Sequence, residues 1–238
     1  MRLQQLKSFL HKYRHGWVFS YFIIYITWFV LLEKRDYVEF YPMHMRLDDF
    51  IPFCEYFIVP YLLWFVFIAS VVLYFFFTNT KDFYKCCALL FSGMTICLII
   101  YTIFPNEQNL RPDTFANSNI FTRLVQFTYQ TDTSTNVCPS IHVFNSIGVF
   151  MAIAENKKLR KNKWILAGSG ILTVLICLST VFLKQHSCVD GFCGIGLAVI
   201  LYTIVYRMNW DKLFASLNEM KKDESKAKLK KEKANFWR

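Results

Sequence analysis

Residues 57–78 read FIVPYLLWFVFIASVVLYFFFT. The stretch carries no Asp, Glu, Lys or Arg. Its length falls in the roughly 17–25 residues that an α-helix needs to cross a bilayer core. On either side of it, five further apolar stretches appear, at 17–32, 86–104, 138–154, 164–183 and 189–208. The expected fold is therefore all-α, a polytopic membrane bundle of six transmembrane helices. The first and fourth stretches are short, so their ends are expected to run into polar positions. The fourth is also the most polar, with Ser140, His142, Asn145 and Ser146. Such a helix is expected to face its neighbours and not lipid.

Composition agrees. Of the residues, 55% are apolar, 18% aromatic and 18% charged, with 25 Phe. Soluble domains run about 45–50% apolar and about 25% charged. The net charge of +10 does not gather into one patch, so nucleic acid is not an expected partner. Lys and Arg instead alternate between the inter-helix segments, 21 on one side and 6 on the other. The positive-inside rule makes the richer side cytoplasmic. Both termini are then cytoplasmic, and 33–56, 105–137 and 184–188 face outward. Three regions follow: a basic N-terminus at 1–16, a six-helix catalytic domain at 17–208, and a charged tail at 209–238. The tail reads as a solvated or surface-lying helix end. The basic start followed by an apolar run reads as a retained helix, because no small-residue cleavage site follows. The segment 33–56, with six acidic residues, Tyr37 and Tyr41, is expected to cover the outer face.

Eight cysteines make no C-x-x-C pair, so no structural zinc is expected. Cys86, Cys87, Cys97, Cys177 and Cys193 lie in apolar runs and read as packing residues. A bridge between Cys138 and Cys188, both near the outer boundary, is left open. Among the histidines, His11, His15 and His44 read as surface residues. His142 and His186 sit at the outer ends of apolar stretches, where an ionisable group is costly unless used or paired. Ser179, His186 and Asp190 share one face if the backbone is helical between them. A carboxylate beside an imidazole fixes its tautomer and leaves the other nitrogen nucleophilic. Pro139 suits a first helical turn, whose free amides near Ser140 and His142 would hold an anion. Arg111, in the second outer loop, has the fork that fits phosphate.

Arg111-Pro112, Pro139-Ser140-Ile141-His142 and Ser179…His186…Asp190 resemble, in order and spacing, the three motifs of the type 2 phosphatidic acid phosphatase superfamily: K-x6-R-P, P-S-G-H and S-R-x5-H-x3-D. The resemblance covers about residues 57–208. Phe104, Ile141 and Thr180 stand where the motifs have Lys, Gly and Arg. Ile141 is similar to the branch related to inositol phosphorylceramide synthases, and Lys184 and Arg123 are candidate replacements for the missing cations. The resemblance implies that His186 attacks phosphorus, Asp190 orients it, and His142 is acid and base. It also implies that Arg111, Ser140, Ser179 and Lys184 hold phosphoryl oxygens, with no metal or cofactor. The expected activity is a cell-membrane phosphatase acting on a lipid phosphomonoester or pyrophosphate at the extracytoplasmic face. The alternatives are a headgroup phosphotransferase and an inactive lipid-binding protein. A transporter would show mid-membrane helix breaks or repeats, and the sequence has neither.

Overall fold

A computed structural model describes residues 11–35 and 38–210. The N-terminal ten residues, residues 36–37 and the Lys-rich tail lie outside the described residues, and so does the expectation that the tail forms a surface helix. The chain divides into two compact units, 1–205 and 206–238.

Seven α-helices, among the described residues, build the first unit. They are α1 (Tyr21–Glu33), α2 (Ile58–Thr78), α3 (Thr80–Ile103), α4 (Ile120–Thr131), α5 (Ile141–Glu155), α6 (Lys163–Phe182) and α7 (Cys188–Tyr202). A 3-10 turn, Arg14–Ser20, leads into α1, and a π-helical turn, Thr203–Arg207, follows α7. The β-structure, among the described residues, is a two-residue parallel ladder, Tyr41–Pro42 on Asn106–Glu107, and an isolated bridge between Glu107 and Thr135; the ladder joins the segment before α2 to the segment after α3.

Five helical stretches are long and apolar enough to cross a membrane: Arg14–Glu33, Glu55–Thr78, Thr80–Ile103, Lys163–Phe182 and Cys188–Arg207. Their outward residues are what lipid would cover. Ile23 is 72% exposed, Val66 59%, Ile171 62% and Ile200 59%. Apolar exposure spread over several helices in this way suits hydrocarbon and not water. The sixth apolar helix, α5, has only 15 residues. It packs against α3, α6 and α7. Asn145, Ser146 and Gly148 are buried there, so the most polar apolar stretch does turn to its neighbours.

Helix ends follow local chemistry. Asn79 separates α2 from α3, and its side chain accepts the amides of Lys81 and Asp82. Asn162 does the same for Trp164 and Ile165 at the start of α6. Such caps satisfy amides that have no intrahelical partner. Asp82 also accepts from Asn156 Nδ2 at 2.7 Å, which pins the start of α3 to the end of α5.

Hydropathy gives no sign of the helix α4 in the second outer loop. Asn119 caps it, and its apolar positions recur at helical spacing, so that Val125 is buried with Ile58, Tyr61 and Leu183. Twelve residues with a polar half fall below the length and hydropathy that mark a span. Cys138 and Cys188 are both free thiols, so the question of a bridge is answered against it. His15 departs from the surface expectation. It is 4% exposed, packed on Phe76 and Phe83, with Nε2 3.0 Å from the Phe76 carbonyl. Aromatic rings within hydrophobic reach outweigh the basic character of its surrounding sequence.

At Gly93, α3 meets Phe144 of α5 so closely that an added Cβ would lie 1.9 Å from the ring. Overpacking a filled core typically costs about 1–3 kcal/mol. Gly93→Leu is expected to lower the detergent-solubilised protein's Tm by several degrees, read by fluorescence scanning. Gly168→Leu, where nothing lies within 4 Å of an added Cβ, is expected to leave it unchanged.

Candidate active site

The ends of α1, α3 and α6 and the starts of α2, α5 and α7 meet at one end of the bundle. Here α6 stops at Phe182, and Lys184 takes a left-handed φ of 52°. The Thr180 carbonyl then accepts the amides of both Gln185 and His186, at 2.9 and 3.0 Å. This turn breaks the helical register that would have put Ser179 on a face with His186. Ser179 is fully buried on α6, and its hydroxyl donates to the Ile176 carbonyl at 2.6 Å.

The register of His186 with Asp190 survives because α7 restarts immediately. Ser187 is its N-cap. Its side chain accepts from Val189, and the Asp190 carboxylate accepts the Ser187 amide at 2.9 Å in a capping box. The same carboxylate oxygen lies 3.4 Å from His186 Nδ1. Asp190 is fully buried and His186 7% exposed. On its other side, His186 Nε2 is 3.4 Å from His142 Nδ1. One imidazole thus stands between a carboxylate and a second imidazole.

His142 arrives in the first turn of α5. Pro139 is not part of that turn, because Ser140 is the N-cap and accepts the Val143 amide. The Ser140 amide donates to the Asp190 carbonyl at 3.0 Å. The Tyr101 hydroxyl donates to the Pro139 carbonyl at 2.5 Å. Asn106 takes the amides of Val137 and Cys138 on its side-chain oxygen and gives its NH2 to the Cys138 carbonyl. The loop before His142 is therefore fixed at each backbone step. The His142 ring itself lies between Tyr61 and Trp64, with centroids 4.7 and 4.5 Å away.

Both histidines line a cavity of about 520 Å³. Rings from α1 and α2 form its wall: Tyr25, Phe29, Tyr61, Trp64 and Phe65. Asp132, Thr133, Asn136 and Gln185 form its polar end. The Tyr61 hydroxyl donates to Asp132 Oδ2 at 2.5 Å. Among the described residues that line the cavity, none is Lys or Arg.

The residues expected to hold phosphate do not line this cavity. Arg111 lies behind Gln185. It donates to the carbonyls of Tyr129, Asp132 and Thr133 at 3.2, 2.7 and 2.8 Å and to Gln185 Oε1 at 2.5 Å. Its guanidinium stacks 4.4 Å over the Tyr129 ring. Burial pulls its pKa down and Asp132 opposes this; it stays a cation. Lys184 Nζ donates to the Asp48 carbonyl at 2.9 Å. Arg123 is exposed on α4.

Asp48, between α1 and α2, joins this region although neither hydropathy nor motif spacing points to it. Its side chain accepts from the Ser187 hydroxyl at 2.5 Å and from the amides of Cys188 and Met45 at 2.8 and 2.9 Å. Burial pushes its carboxyl up, but the hydrogen bonds from Ser187, Cys188 and Met45 outweigh this and hold it below the usual carboxylate range. Nothing in the sequence separates Asp48 from its neighbour Asp49, which pairs with His44 at the surface at 2.8 Å. Asp132 and Tyr61 were missed for the same reason, since neither stands in a motif.

A family model described as the PAP2 superfamily matches residues 88–214, just over half of the chain. No curated protein and no solved structure matches it. The matched range contains Arg111, His142, His186 and Asp190.

A folded-state pKa lowered at Asp48 means that its contribution to stability is complete above the unfolded value, near 4. It is lost as pH falls through the folded value. Asp48→Asn is expected to lower Tm at pH 7 and to flatten the fall of Tm below about pH 4, measured by thermal scans from pH 7 to pH 3.

Proposed function

The chain belongs to the PAP2 superfamily, and on that premise we propose that it is a lipid-phosphate phosphatase working through a phosphohistidine. The observation that carries this reading is the line Asp190–His186–His142, with 3.4 Å at each step, opening onto the cavity. Asp190 stabilises the Nδ1–H tautomer of His186, which leaves the Nε2 lone pair to attack phosphorus. Bonding to Nε2 expels the lipid oxygen, and His142 supplies its proton. His142 then takes a proton from water as water displaces the histidine nitrogen, so both imidazoles return to their starting states. His186 Nδ1 is buried without a hydrogen-bond partner at 3.4 Å from Asp190, and catalytic hydrogen bonds often form fully only in the substrate complex.

The protein is placed in the cell membrane as six spans, α5 being the short one, with both termini cytoplasmic and the site at the extracytoplasmic face. The Lys and Arg distribution supports that orientation. Phosphoryl oxygens would be held by the amides at the start of α5 near the Ser140 cap. Arg111 and Ser179 support the site from behind. A second reading, transfer of a phospho-headgroup to an alcohol, is favoured by the carboxylate and aromatic rings in the cavity. It shares the phosphohistidine and differs in the acceptor.

His186→Ala is expected to lose more than about 10³-fold in turnover, and His142→Ala about 10²–10⁴-fold. Both should insert and elute as the wild type does. Acid-labile, alkali-stable label from a 32P-lipid phosphate is expected on the wild type and absent from His186→Ala. Normal phosphate release by His186→Ala would overturn the mechanism.

A further inference from the structure

The cavity beside the two histidines is built for a positive charge. Its wall carries the aromatic rings of Tyr25, Phe29, Tyr61, Trp64 and Phe65, and the Asp132 carboxylate is among its polar lining. Asp132 is backed by a second carboxylate. Glu33 accepts from Asn136 Nδ2 at 2.6 Å and from the Thr133 hydroxyl, and both donors line the cavity. The nearest cations do not line the cavity but are bonded behind residues that do. Arg111 donates from NH1 and NH2 to three carbonyls and Gln185, and its Nε is buried without a hydrogen-bond partner. Arg35 donates to the Tyr101 carbonyl at 2.7 Å and to Asn136 Oδ1 at 3.1 Å. Aromatic faces combined with a carboxylate attract ammonium groups, an arrangement that recurs wherever proteins bind quaternary amines.

We propose that the substrate is a phospholipid whose headgroup carries an ammonium, and that this cation lies in the aromatic cavity against Asp132 while its phosphorus meets His186. The inference rests on the reading of His186 as the phosphoryl acceptor and deepens the second reading of the proposed function, in which the group moved is a phospho-headgroup and not free phosphate. It accounts for a site whose cavity offers no side-chain cation among the described residues, because a zwitterionic headgroup brings its own positive charge. In the reaction, His186 Nε2 bonds to phosphorus, the bond from phosphorus to the diacylglycerol oxygen breaks, and that oxygen takes a proton from His142. Water, giving its proton to His142, then displaces the histidine and releases the headgroup as its phosphate monoester. The net change is phospholipid plus water to diacylglycerol plus phosphoamino-alcohol. An acceptor alcohol in place of water would receive the same group.

The test uses the purified full-length protein in nanodiscs containing one of four lipids: phosphatidylethanolamine, phosphatidylcholine, phosphatidylglycerol or phosphatidic acid. Diacylglycerol is the product common to all four, and the released headgroup phosphate is identified separately. At least one ammonium lipid is expected to react tenfold or more faster than phosphatidylglycerol, and the ethanolamine and choline arms distinguish a primary from a quaternary ammonium. Asp132→Asn is expected to lower the kcat/KM ratio of ammonium lipid to phosphatidic acid at least tenfold. Binding gives a readout that needs neither turnover nor Asp132→Asn. His186→Ala is expected to bind phosphocholine or phosphoethanolamine saturably by tryptophan fluorescence and to bind inorganic phosphate at least tenfold more weakly. Preference for phosphatidylglycerol or phosphatidic acid, or equal binding of inorganic phosphate, overturns the inference. If only phosphatidic acid reacts and His186→Ala abolishes that reaction, the inference fails and the phosphohistidine stands. If His186→Ala still releases diacylglycerol, the phosphohistidine itself fails, and the inference with it.

Discussion

The backbone of Asp190 ties the site together before its side chain does anything chemical. Its carbonyl accepts the Ser140 amide at 3.0 Å, so the start of α7 is joined to the start of α5. Its carboxylate closes the capping box on Ser187 and stands 3.4 Å from His186. A single residue thus sets the separation of the two histidines. Gly194 shows how close this junction is, because an added Cβ there would lie 2.8 Å from the Ser140 carbonyl. One turn further along α7 than Asp190, a side chain of any size would pry apart the helices that carry His142 and His186.

Such a junction brings several polar groups out of water, and the surrounding loops satisfy many of them, though His186 Nδ1, Asp190 Oδ1 and Gln185 Nε2 are buried without a hydrogen-bond partner. Asp48 takes two hydrogen bonds at the restart of α7 and one from Met45 in its own segment, and Asn106 takes two amides before α5. Gln108 donates to the Lys184 carbonyl at 2.9 Å, which holds the left-handed residue of the turn. These bonds come from the segments between α1 and α2 and between α3 and α4, so those segments are structural parts of the site. Leaving a buried polar group unpaired costs about 1–3 kcal/mol each. Both segments are therefore constrained by the geometry of the site although they carry neither histidine.

Hydropathy acts on long windows, which is why the helices are legible in the sequence, and five of the six apolar stretches are spans by length and composition. His142, His186 and Asp190 are legible because ionisable residues at the ends of apolar runs are conspicuous. Arg111 is legible as a residue but not in its contacts. Its sequence neighbourhood carries no sign that carbonyls from 129–133 would surround it. Asp132 and Tyr61 are not legible at all, because they are 71 residues apart and belong to no local pattern. The helix α4 is hidden by its polar half, and His15 by basic neighbours that say nothing about Phe76. What local periodicity encodes can be read, and what depends on distant side chains converging cannot.

The shortness of α5 bears on access. Fifteen residues at about 1.5 Å each span about 22 Å, less than the roughly 30 Å of a bilayer core. A lone helix of that length would leave a cap in hydrocarbon. Here α3, α6 and α7 surround it, and its cap bonds to Asp190 instead of to water. The cap end is also where the cavity lies: His142, in the first turn of α5, lines it together with rings of α1 and α2. The short helix thus ends against α7 and a walled cavity, and this packing leaves His186 only 7% exposed.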